Sequence, residues 1–381
     1  MRREGHHYLT RHGDVGQRNL ERHHGSAGPG EPGREQVRRL LQRTFDQNSI
    51  VNLGHRRRFR AKRGKPLPAL KPAPVNIVVF GAGVQGTLYG VRFARAGHAV
   101  SLVARGARAA ELRAHGAVLE AALDRRPQVE RLRLPVSEGL RPQMHADLCL
   151  VTVRREQLEA ALPELTRASW VARFLIMGSH VGDSQALFAA LGRERVVQAF
   201  PGFAGTPENG TIRYVEIAQR PTALDGTARD VCNLLRHADL RYSAVHDMES
   251  WLRRNAVFLS AVFGALYLAG ADARRLGGDA TLVETLILAV REGWAALDAR
   301  RVGPPTPEMN AIFRTLPLAF ARTYWRELFT SARGDYYFAR HARRSASEAA
   351  AVADDVLALL GQREAPYLRL CCAAIARAAG N

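Results

Sequence analysis

"NIVVFGAGVQGTLYG", residues 76–90, places three glycines at the spacing G-x-G-x-x-G: Gly81, Gly83 and Gly86. With 33 glycines in 381 residues the spacing alone is weak, and its surroundings decide its meaning. "VNIVVF", 75–80, is a β-branched run suited to a buried parallel strand. The next residues repeat at helical period, with Val84, Leu88, Val91 and Ala94 on one face and Gly97 at the end. "AVSLVAR", 99–105, reads as a second strand. Strand, glycine turn, helix and strand within about 30 residues is the setting in which this motif predicts a dinucleotide site. Gly81 permits the tight turn, Gly83 lets the backbone approach a pyrophosphate, and Gly86 lets the helix pack on the strand. Gly81, Ala82, Gly83, Val84, Gln85 and Gly86 therefore form the expected cofactor-binding turn, with helix N-terminal amides facing the phosphates.

The end of the second strand indicates which dinucleotide. A site for NAD carries Asp or Glu there, to hold the ribose 2′-hydroxyl. This chain reads "ARGARAAE", so Arg105, with Arg108 as a second candidate, is placed to pair with a 2′-phosphate, which argues for NADP. The bland alternative is a solvated surface arginine. Further strands and helices alternate downstream. "ADLCLVTV" (146–153), "ARFLIMGS" (172–179) and a run from about 195 read as strands, separated by helices at 156–165 and in "DSQALFAALG". That alternation specifies a Rossmann-like, doubly wound α/β sheet. "TIRYVEIAQRPTALDG", 211–226, reads as a hairpin or meander at the sheet edge.

Beyond about residue 247 the strand signals stop. "MESWLRRNAVFLSAVFGALYLAGA" and "ATLVETLILAVREGWAALDARRVG" read as long apolar helices, with more helix at about 307–330 and 346–361. The chain thus divides into an extension over 1–74, a nucleotide-binding domain over 75–246 and an all-α domain over 247–381. Substrate is expected in the cleft between the last two.

Charge is unevenly placed. The net charge is +19, and residues 1–75 alone hold +11 of it. This segment, rich in Arg, His, Gly and Pro, has no sustained apolar period and reads as a disordered basic extension. A tail for nucleic acid or an acidic surface is the functional alternative, set lower because no recognition fold accompanies the charge. A third reading starts the mature chain at Val75, just before the first strand. Four cysteines without a C-x-x-C pattern indicate neither a disulfide framework nor a metal site and fit a reducing, cytoplasmic setting. The longest uncharged apolar stretch, 256–271, is too short for a membrane span.

The chain resembles the ketopantoate reductase family over about 75–361, on "NIVVFGAGVQG", "ADLCLVTVRREQLEAAL", "GFAGTPENGTIRYVEI" and the Trp-led helix "SWLRRNAVF". The resemblance implies reduction of 2-dehydropantoate to pantoate with NADPH, a step of pantothenate biosynthesis, by a protein that can form a homodimer. It places Arg154 where the family has a lysine after the third strand, and Ser179 or His180 where the family has an asparagine near the nicotinamide. The family's catalytic lysine, two residues after the tryptophan, corresponds to Arg253. Its substrate-binding asparagines fall on Val257 and Ala261, and its late glutamate on Glu348. Arg253 and Glu348 are therefore the catalytic candidates that the resemblance implies. An arginine cannot readily give up a proton, so proton delivery would fall to Glu348, His180, His341 or water. Each also has a plainer reading: Arg253 as a partner of Glu249 one turn back, His180 as a loop histidine, Glu348 on a charged helix face, and Trp251 in the core.

The expectation is an NADP-dependent reductase of 2-dehydropantoate or a related small carboxylate-bearing carbonyl compound. The alternatives are a sister reductase with another carbonyl substrate, and an NADP-binding protein with decayed or altered catalysis.

Overall fold

Apolar residues run almost without interruption along the central strands of the first half because both faces of their sheet are covered. The computed structural model describes residues 73–124, 126–181 and 184–380. The extension expected over 1–74 lies outside them except for its last two residues.

The glycine-turn unit comprises β1 (Asn76–Phe80), α1 (Val84–Arg95) and β2 (Ala99–Val103), followed by α2 (Gly106–His115). Gly97, just past α1, has φ +94°, the left-handed stop expected of it. After β3 (Ala117–Ala121), β4 (Val129–Leu132) and β5 (Val136–Ser137), the alternation resumes with β6 (Leu148–Val151), α3 (Arg155–Arg167), β7 (Arg173–Met177), α4 (Ser184–Leu191) and β8 (Val196–Phe200). Next come β9 (Phe203–Glu208), β10 (Thr211–Glu216), β11 (Thr222–Asp225), α5 (Arg229–His237) and β12 (Tyr242–Val245). The main sheet runs β12-β11-β8-β7-β6-β1-β2-β5, parallel except where β11 meets β8. Val78, Phe80, Cys149, Val151, Phe174 and Ile176 point to one face, under Leu158 and Leu165 of α3 and Leu187 of α4. Ile77, Val79, Leu102, Leu150 and Leu175 point to the other, under Leu88 and Val91 of α1 and Leu235 of α5. Strand order reverses between β1 and β6, and an open α/β sheet binds its ligand beyond the carboxyl ends of the strands at such a point.

The segment read as one meander over 211–226 is split between two sheets. β10 pairs with β9 and β3 in a second sheet of order β4-β3-β10-β9, whereas β11 joins the main sheet. A tertiary contact enforces the split. The buried Tyr89 hydroxyl of α1 bonds Thr222 Oγ1 at 2.6 Å and accepts from Gly202 N at 3.2 Å, which ties the start of β11 to the end of β8.

In the second half α6 (Met248–Leu268) is central, packed by α8 (Ala280–Asp298), α10 (Ala346–Leu360) and α11 (Pro366–Gly380), with α7 (Ala273–Gly278) and α9 (Leu318–Thr330) outside. The α6–α11 crossing is close: a Cβ on Gly264 would overlap that of Cys371, and both cysteines of the adjacent pair are buried and free.

Candidate active site

The site is built from the carboxyl ends of β1, β6, β7 and β8 on one side and from α6, α9 and α10 on the other. Together they line a cleft of about 2470 Å³. At the end of β1, Gly81 turns the chain at φ +101°. Its carbonyl accepts a 2.5 Å bond from Thr152 Oγ1 beyond β6, across the point where strand order reverses. A Cβ on Gly86 would lie 2.5 Å from that same Oγ1 and would overlap the Gly81 carbonyl, so only glycine lets α1 sit this close. Gly83 is the opposite case, since a Cβ there would meet nothing within 4 Å. It precedes α1, whose first turn has no side-chain cap, so the amides there are open to an anion. Gln85 Nε2 donates to Phe203 O at 2.9 Å, and its Oε1 is buried without a partner. Gly81 to Gln85 line the cleft; Gly86 lies behind them in the packing.

The two arginines after β2 differ in role. Arg108, on the cleft wall, donates from Nε to Ala82 O at 2.9 Å and from Nη2 to Thr87 Oγ1 at 3.0 Å, which braces the turn. Arg105 stands at the rim, 67% exposed, where it pairs with Glu164 and donates to Glu138 O. Arg154 opens α3 on the cleft wall and bonds Glu156 Oε1 at 3.3 Å. Ser179, beyond β7, is buried in that wall.

Across the cleft, α10 presents Glu348, whose Oε2 lies 3.4 Å from His341 Nε2. Burial pushes the Glu348 carboxyl up, but the hydrogen bond and charge of His341, with the nearby Arg154 and His180, outweigh it and hold the group below the usual carboxylate range. Glu348 is thus ionised at neutral pH. His180 is 3% exposed and neither ring nitrogen has a partner. Burial, helped by Arg155, pushes its pKa down to about 4, so it is neutral at pH 7 and cannot serve as the acid. The bidentate Arg155–Asp355 pair, at 2.9 and 3.1 Å, fastens α3 to α10 beside this group.

Arg253 does not join it. Its guanidinium bonds Glu249 one turn back, as in the plainer reading, and it does not line the cleft. The cleft face of α6 carries Trp251, Asn255, Phe258, Leu259 and Phe263. Val257 and Ala261 are buried in the helical core. The reason is rotational: a residue two places after Trp251 is turned about 200° around the helix axis. The residue one full turn on is Asn255, a lone amide between two arginines and an apolar run and a signal legible in the sequence. No local pattern pointed to Arg220. It lies between β10 and β11 and donates to Asn255 Oδ1 at 2.5 Å.

Residues 77–220 match the family model of ketopantoate reductase PanE/ApbA. Over this span the chain is similar to the ketopantoate reductase family. No curated protein sequence matches it. Among solved structures it is similar to a ketopantoate reductase from Ralstonia eutropha JMP134, with 20% identity and a TM-score of 0.61 over 80% of this chain and 98% of that one. A 2-dehydropantoate 2-reductase from Geobacter metallireducens GS-15 gives 18% and 0.61 over 79% and 99%. D-mandelate dehydrogenase in its ternary structure with NADH and anilino(oxo)acetate gives 12% and 0.63 over 80% and 98%. Identities this low speak for a shared fold, the ketopantoate reductase arrangement of α/β sheet and helical region. Among the described residues no helix is long and apolar enough to cross a membrane, and no group of His, Cys, Asp and Glu is arranged to hold a metal ion.

Proposed function

We propose that the protein is an NADPH-dependent reductase of the ketopantoate reductase type that converts 2-dehydropantoate or a related 2-oxo acid to the 2-hydroxy acid. The observation that carries this reading is the single cleft that sets an open glycine turn opposite the His341–Glu348 pair. The turn fits a dinucleotide: the unobstructed face of Gly83 admits a pyrophosphate against the backbone, and the uncapped amides of α1 meet its charge. Arg105, exposed at the rim after β2, supports a 2′-phosphate and hence NADP. Arg154 and Ser179 would border the nicotinamide half.

When bound, the nicotinamide supplies the hydride. The chain's residues supply the rest. His341 is the proton source for the new hydroxyl oxygen, and the Glu348 carboxylate orients its ring. The placement of Arg253 outside the cleft favours a second reading, a dinucleotide-binding protein without reductase turnover.

The test is NADPH and NADH oxidation by the full chain against a panel of 2-oxo acids, with dinucleotide titrations alongside. Arg105→Ala should weaken NADPH about tenfold, the effect of one charge-assisted contact at an exposed rim, and leave NADH nearly unchanged. Equal losses for both would remove Arg105 from the cofactor site. Tight dinucleotide binding with no turnover of any 2-oxo acid would select the second reading.

A further inference from the structure

Arg220 is held in a closed turn: its backbone N–H donates to Ile217 O at 2.9 Å, and Pro221 follows. Its guanidinium sits 4.8 Å from the centre of the Phe258 ring and 5.9 Å from that of Trp251. Both rings belong to the cleft face of α6. Trp251 in turn leans on Phe200 at the end of β8, with ring centroids 5.6 Å apart. The cation therefore sits where the main sheet meets the helical region.

Elsewhere on the cleft Arg105, Arg108, Arg154 and Arg340 each meet a carboxylate, and the cleft arginines paired with no carboxylate besides Arg220, namely Arg236, Arg333 and Arg344, are exposed to water. Arg220 meets none among the described residues; its one side-chain bond goes to the neutral Asn255 amide. Burial lowers its pKa to about 10, which leaves it charged at neutral pH. A half-buried cation without a counter-ion is costly, and an anion that arrives to pair with it recovers part of that cost. Asn255 adds to the imbalance, because its buried Nδ2 donates to nothing.

We propose that Arg220, with Asn255 beside it, is the anchor for the substrate carboxylate, and that the substrate is a 2-oxo monocarboxylate with an aromatic or bulky branched side chain. The inference rests on the reductase reading for its 2-oxo group, but the anchor stands on geometry alone. A guanidinium offers a planar fork that matches a carboxylate in two parallel bonds, and ring faces beside it fix its plane. The wall around the anchor is aromatic: Trp251, Phe258, Tyr324 and Tyr337. Such a wall offers broad apolar area. Flat or branched side chains bury well against it. A short acid leaves it unfilled.

The experiment uses the full chain with NADPH and three probes: phenylpyruvate, 4-methyl-2-oxopentanoate and pyruvate. Turnover is followed by NADPH oxidation, and binding of each acid to the dinucleotide complex by calorimetry. Phenylpyruvate and 4-methyl-2-oxopentanoate should bind and turn over at least tenfold better than pyruvate. Arg220→Gln should weaken phenylpyruvate about 10- to 100-fold, the loss expected for bonds to a charged group, while NADPH affinity holds. Arg220→Lys, which keeps charge but loses the fork, should recover only part of it. Unchanged melting temperatures would show that both variants fold. Equal handling of pyruvate and phenylpyruvate, unaltered phenylpyruvate binding in Arg220→Gln, or no binding of any of the acids would each overturn the proposal. If phenylpyruvate binds through Arg220 but is not reduced, the anchor stands and the reductase reading falls.

Discussion

The glycine turn and the cleft face of α6 confront each other across one space, yet they carry information in different ways. In the turn, each role belongs to the backbone. Gly81 bends, Gly83 leaves room and Gly86 packs, and a strand directly before and a helix directly after fix which residue does which. On α6, roles belong to side chains, and the rotation of the helix decides them. Arg253 and Arg254 are neighbours of identical chemistry with unlike fates. Arg253 pairs with Glu249 away from the cleft. Arg254 is 3% exposed and donates to the carbonyls of Trp294, Val302 and Gly303 and to Asp298 Oδ1, so it caps the end of α8. A short motif in a backbone turn can thus be carried over by position, whereas a residue on a buried helix has to be carried over by face.

The two arginines give the largest test of that contrast. Arg254→Met should cost about 3–5 kcal/mol, the range for breaking a buried charge from its partners. Arg253→Met should cost about 0.5 kcal/mol or less, as for a helical i,i+4 pair. Denaturant unfolding of both variants measures the difference; equal costs would mean the helix is rotated otherwise.

Within the turn, Gly86→Val should cost about 3 kcal/mol, because the new side chain meets the Gly81 carbonyl and Thr152 with no space to yield. Gly83→Ala should melt close to wild type and lose dinucleotide affinity, since its Cβ meets only the open cleft. A Gly83 variant that binds as well as wild type would show that the phosphates lie elsewhere.

A pH-dependent effect concerns His180, which lies beyond β7 and faces Glu348 of α10. Its folded pKa of about 4 lies below the ordinary value near 6.5. The unfolded chain therefore binds the proton first as pH falls, and the stability His180 contributes is complete above 6.5 and lost between 6.5 and 4. At pH 5 the loss is about 2 kcal/mol. His180→Leu should lose about that much less than wild type between pH 7 and pH 5, as measured by urea unfolding at each pH. Parallel losses in the two proteins would show that the ring is not held neutral.

The turn, the strand–helix alternation that makes a doubly wound sheet, and the helical second half were all legible in the residues alone. Each of these is a local property: a glycine spacing, a β-branched run, a period of 3.6. The residues also marked Glu348 and Arg154 as worth following, and both lie on the cleft. Tertiary structure alone decided the division of 211–226 between two sheets, through a hydroxyl on Tyr89 that no local pattern announces. It alone turned Arg253 away and Asn255 inward, because packing against α8, α10 and α11 sets the rotation of α6. And it alone brought Arg220 from a loop to the faces of Trp251 and Phe258, 31 and 38 residues further along the chain. A contact between residues that far apart depends on where two elements meet, and that meeting is a property of the packed core.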